Sequence, residues 1–128
     1  MLAHYRGEAG ADRVQEIIDH SEAAIRIVSL TMTEFARRMA ALGEPPDRIL
    51  DALKGYGRIW EEVVPVDEAI AMEAFSIGQA TKERLPLVDA LIAGAARLSG
   101  SVLVHRDPHF KKVPAGLVSQ ESLTDLKS

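Results

Sequence analysis

The sequence predicts an α/β sandwich with a mostly parallel sheet. Three observations carry that expectation. Short apolar, β-branched runs ("IRIVSL", "EEVVPV", "SVLVH") alternate along the chain with longer stretches of helical periodicity. Pro and Gly punctuate the boundaries, as at Gly43-Glu44-Pro45, Pro86 and Gly100. At 128 residues the chain suits one domain with a core of its own, and strands separated by helices favour parallel pairing.

The elements follow in order. "GADRVQEIID" places Val14, Ile17 and Ile18 on one face and reads as a short helix. "AAIRIVSLTM", Ala23 to Met32, reads as a strand, and "TEFARRMAAL" as a helix with Thr33 as its cap and Gly43 as its stop. "PPDRILDALKGYG" is a second helix between Pro and Gly. "WEEVVPV" is a strand, and "DEAIAMEAFSIGQATKE" a helix capped by Asp67. "PLVDALIAGAARLSG" is a helix opened by Pro86 in its first position, "SVLVHRD" a strand, and "AGLVSQESL" a last strand. We find no internal repeat or low-complexity segment.

Composition narrows the function. The 47% hydrophobic and 27% charged residues describe a globular chain. The absence of Cys rules out disulfides and thiolate metal sites and is compatible with a reducing compartment. No apolar run approaches a membrane span, and "MLAHYRGEAG" lacks a signal-peptide core, so the expected location is the cytoplasm. A net charge of −4 argues against indiscriminate duplex binding, so a nucleic-acid substrate requires a local basic rim.

The chemistry-bearing residues are acids at element ends. Asp89 interrupts an otherwise apolar helix, in its first turns. Its structural explanation is a favourable interaction with the helix dipole. Glu34 falls in the first turn expected for the helix after "IRIVSLTM", and Asp107 directly follows "SVLVHR". In a parallel sheet, helix starts and strand ends share one edge, where ligands bind. Three carboxylates brought together there repel one another unless a hard cation such as Mg²⁺ or Mn²⁺ lies between them, an arrangement suited to phosphodiester hydrolysis.

"LPLVDALIAGAARLSGSVLVHRDPHFKKV" resembles the C-terminal motif pair of the PIN-domain ribonucleases, in particular the VapC-type toxins of toxin–antitoxin pairs. The matching features are Asp89 to Ala93, Gly100, and Arg106-Asp107 with Phe110. "SLTMTEFARR" is similar to the family segment carrying a Glu, here Glu34, and "YRGEAGADRV" to its Gly-Glu-x-Gly turn. The resemblance implies a PIN-like three-layer sandwich, a mostly parallel central sheet flanked by helices. It also implies an endoribonuclease whose Glu34, Asp89 and Asp107 are catalytic acids binding Mg²⁺ or Mn²⁺, an RNA substrate and a small cognate antitoxin as partner. A homodimer is expected. In two places the chain departs from the family pattern. The family's first strand, with a further Asp at its end, would lie upstream of Met1, so residues 1–128 are expected to be a single PIN-like domain lacking that strand, with either the natural gene starting upstream or the gap repaired by pairing or swapping with another copy. His105 stands where the family usually has Thr or Ser. A catalytically incomplete module that binds a protein partner, and a PIN nuclease of RNA processing, are the alternative roles.

The remaining conspicuous residues have plainer explanations beside functional ones. His105 and His109 flank Asp107 and suit phosphate contact or proton shuttling, or a solvated or core role, which is the expectation here. Arg106, Lys111 and Lys112, with Lys82 and Arg84, suit either RNA phosphates or a solvated charged loop. Arg37 and Arg38 read as an exposed helix face, and Trp60 and Phe75 as core. The small residues Ala93 to Ala96 suggest close packing of their helix, against the sheet or a partner subunit.

Overall fold

The computed structural model describes residues 1–20 and 24–123, with only the backbone of Leu2 and Ala3. The expected strand start at Ala23 lies outside these residues. Contacts divide the chain into two compact units, Met1–Pro65 and the segment from Val66 onward.

In the first unit, α1 (Leu2–Arg6) and α2 (Ala11–Asp19) are joined by a turn with positive φ at Gly7 (64°) and Gly10 (95°), conformations that glycine adopts without a Cβ penalty. Next come β1 (Arg26–Val28), α3 (Ser29–Ala41), α4 (Pro46–Gly57) and β2 (Glu62–Val64). β1 and β2 pair in parallel, Arg26 opposite Glu62 and Val28 opposite Val64. A parallel pair needs a long crossover, and α3 with α4 supplies it. Phe35 and Met39, one turn apart on α3, meet Ile49 and Tyr56 of α4 in a buried cluster, with Trp60 stacked on Tyr56 at 6.1 Å.

The strand read as Ala23 to Met32 is shorter than expected. It ends at Val28, the residue preceding α3, and Ser29 to Met32 are helical. That apolar run suits either state locally, and burying Phe35 and Met39 on one face selects the helix. Thr33 is therefore inside α3 rather than capping it, and Glu34 is the sixth helical residue rather than a first-turn one.

The second unit holds α5 (Glu68–Ala80), α6 (Leu87–Ser99), β3 (Leu103–His105), a 3-10 helix (Pro108–Lys112) and β4 (Gln120–Ser122). Asp67 caps α5 as expected, its Oδ1 accepting from the Ile70 N–H at 3.0 Å. Pro86 takes the position just before α6, one residue earlier than expected, and Gly100 ends that helix with φ 64°. β3 and β4 pair in parallel, Leu103 opposite Gln120 and His105 opposite Ser122. Ala74 and Ile77 of α5 pack against Ala90, Ala93 and Ala96 of α6, with Phe110, Val113 and Val118 completing the cluster.

The small residues of α6 thus serve a helix contact. A Cβ on Gly94 would sit 3.1 Å from both the Ala74 nitrogen and the Ile70 oxygen, so the α5 backbone passes where a larger residue would be. Phe75 departs from its expected core position and is 64% exposed, because α5 turns Ile70, Ala74 and Ile77 toward α6 and Phe75 away from it. No helix among the described residues is long and apolar enough to cross a membrane.

Candidate metal centre

The second unit brings Asp89 and Asp107 together from elements separated in sequence. Asp89 is buried in the first turn of α6, where the N-terminal dipole favours a carboxylate. Asp107 follows β3 and caps the 3-10 helix, its Oδ1 accepting from the His109 N–H at 2.9 Å. Pro108 starts that helix with its φ already suited to the turn.

His109 lies between the two acids. Its Nδ1 is 2.7 Å from Asp107 Oδ1 and 3.3 Å from Asp89 Oδ2. One ligand atom from each of the three residues lies within 4.8 Å of the others. Burial is the largest single influence on the Asp107 carboxyl and pushes its pKa up. The His109 backbone N–H, a hydrogen bond with Asp89 and the His109 imidazole together outweigh it, holding the carboxyl below its ordinary 3.8.

Two carboxyl groups this close repel when both are ionised, and a proton, an imidazole N–H or a cation between them relieves that. The donor set suits a hard divalent cation. It offers carboxylate oxygens, which Mg²⁺ and Mn²⁺ prefer, and one imidazole nitrogen, with no thiolate.

Expectation and structure differ in the details of the site. Asp89 and Asp107 meet as expected from a helix start and a strand end. Glu34 belongs to the first unit, exposed on α3, where it lines a pocket of about 160 Å³ with Met1, Thr31, Phe35 and Arg38. His109, expected to be solvated or in the core, is instead a member of the cluster. The signal for it is the Asp-Pro-His order: an Asp capping its own turn draws the residue two places on back toward its carboxylate. His105 takes the core role: it is buried, its ring is 4.7 Å from that of Phe110, and its Nε2 is bonded to Gln120 Oε1 at 2.9 Å.

The PIN domain family model matches residues 1–116. The chain belongs to the PIN domain family. The match spans both units and includes Glu34, Asp89 and Asp107. This PIN domain is also similar in fold to a chain in the crystal structure of DNA-bound VapBC from Salmonella typhimurium. The TM-score is 0.66 at 20% identity, covering 94% of this chain and 89% of that one. No curated protein matches the chain.

Proposed function

We propose that this PIN domain is a divalent-metal-dependent endoribonuclease and the toxin of a toxin–antitoxin pair. The observation that carries the reading is the meeting of Asp89 and Asp107 around His109 within a PIN domain. Asp89 and Asp107 would hold Mg²⁺ or Mn²⁺, and the family resemblance gives Glu34 the role of a further catalytic, metal-binding acid. Such a cation supplies a bound water of lowered pKa and stabilises charge on the scissile phosphate.

The chain's own residues prepare that site. The two bonds from His109 to Asp107 Oδ1 fix the orientation of the carboxylate and favour its ionised form, the form that binds a cation. Asp89 is fixed by the first turn of α6, and the aligned N–H groups there favour its negative charge. The resemblance and the likeness to VapBC support a small cognate antitoxin as partner. An Arg from it would pair bidentately with the clustered acids and block cation and substrate together. The reading includes a homodimer acting in the cytoplasm.

The test is Mn²⁺ binding by calorimetry alongside cleavage of single-stranded RNA. Asp107→Asn should abolish both while the chain remains folded. Metal-independent cleavage, or cleavage unchanged by Asp107→Asn, would sink the nuclease reading. Absence of Mn²⁺ binding in the unaltered chain would favour a module that acts by protein binding. Purification from the native operon should recover a small partner, and recovery of the chain alone would count against the toxin role.

A further inference from the structure

The cations of the second unit are unevenly distributed. Of its six described Lys and Arg residues, Arg97 is paired with Glu73 at 3.0 Å, and the other five lie in two short segments, 82–84 and 106–112. The second segment contains Asp107 and His109. The first is the loop before α6, the helix that carries Asp89.

Two contacts make these segments a built edge. Thr81 and Leu85 are buried, and the Thr81 hydroxyl donates to the Ile77 carbonyl at 2.8 Å, so the loop is anchored at both ends with Lys82, Glu83 and Arg84 exposed between. Lys112 Nζ lies 3.1 Å from Glu83 Oε2, which ties the loop to the 3-10 helix. In a 3-10 helix, residues three apart lie on one side, so Lys112 shares the face of His109, which touches both acids.

We propose that Lys82, Arg84 and Lys112 form a rim that binds the backbone phosphates of single-stranded RNA beside the Asp89, Asp107 and His109 cluster. The inference rests on the nuclease reading for its choice of ligand. A polyanion with charges at regular spacing can engage cations on the rim while presenting one phosphate to the cluster. The Glu83 tie does not compete strongly, because an exposed ion pair contributes about 1 kcal/mol or less and Glu83 is 69% exposed. An acidic polypeptide is the competing occupant, and the nuclease reading of the Asp89, Asp107 and His109 cluster is what selects RNA over it.

The experiment measures binding without turnover: fluorescence anisotropy of a labelled oligouridylate in EDTA, over a range of salt, in an Asp107→Asn background. Each single-strand phosphate contact contributes about 0.7 to the slope of log K against log salt. Combining Lys82→Ala, Arg84→Ala and Lys112→Ala should make the slope shallower by about 2 and weaken binding roughly a hundredfold at 0.1 M salt. Arg97→Ala should change neither. Thermal melting confirms that each variant is folded.

An unchanged slope in the triple variant, or an equal loss from Arg97→Ala, overturns the rim. Equal binding of polyglutamate, lost in the same variant, assigns the surface to acidic polypeptides and overturns the RNA reading. A chain that binds RNA through the rim yet cleaves none with Asp107 restored and Mn²⁺ present leaves the rim standing and removes the nuclease.

Discussion

The side-chain amide of Gln120 holds the imidazole of His105, with Oε1 and Nε2 2.9 Å apart. The same amide donates through its nitrogen to the Phe110 carbonyl at 3.1 Å, so its oxygen is the acceptor and His105 carries its proton on Nε2. One residue of β4 thereby joins the end of β3 to the 3-10 helix, on either side of Asp107. Gln120→Met keeps most of the volume and removes both bonds. It should lower stability by about 1–3 kcal/mol, the cost of leaving a buried partner unsatisfied, as measured by urea unfolding. An unchanged midpoint would mean that packing of His105 on Phe110 alone holds this edge.

At the α5 and α6 crossing, Gly94→Ala opposes two effects. Alanine improves helix propensity by about 1 kcal/mol. Its Cβ, however, would meet backbone of α5 at 3.1 Å, and backbone yields only if the helices separate. Overpacking of this kind typically costs about 1–3 kcal/mol, so net destabilisation is expected in thermal melting. A higher melting temperature would show that the crossing is looser than the structure has it.

Tyr56 sets an alkaline limit in the first unit. Burial, then the neighbouring Tyr5, raises the phenol's pKa above its ordinary 10.0, and its hydroxyl is 2.6 Å from His4 Nδ1. Above about pH 10 the unfolded chain releases this proton more readily than the folded one. Its contribution is therefore fully present below about pH 10 and is lost as pH rises through the folded value. Urea midpoints between about pH 8 and 11 should fall, and Tyr56→Phe should flatten part of that fall. Equal pH dependence in both proteins would exclude Tyr56 as its source.

The cap on α5 makes a local prediction. Asp67→Ala removes the acceptor for the Ile70 N–H and should cost about 0.5–2 kcal/mol, while Asp67→Asn or Asp67→Ser should retain most of the stability. Chemical denaturation of the three variants checks the order. If all three cost the same, the loss belongs to the charge at the helix start rather than to the hydrogen bond.

What the sequence determined by itself is what neighbouring residues decide through local physics. Asp67 caps α5 because its short carboxylate reaches an N–H three residues on, and Gly100 stops α6 because it takes a left-handed φ without a Cβ. The meeting of Asp89 and Asp107 was legible because a helix start and a strand end are readable from punctuation and apolar runs, and parallel pairing brings such ends to one edge. Tertiary structure decided the rest. Ser29 to Met32 suited strand or helix equally until Phe35 and Met39 found Ile49 and Tyr56 to pack against. Phe75 lies outside because an all-round apolar helix does not state which face meets α6, and the close approach at Gly94 selects the side bearing Ala74 and Ile77. His109 entered the site because its bonds to Asp107 turn the imidazole toward Asp89, a residue twenty positions away whose placement depends on a different helix.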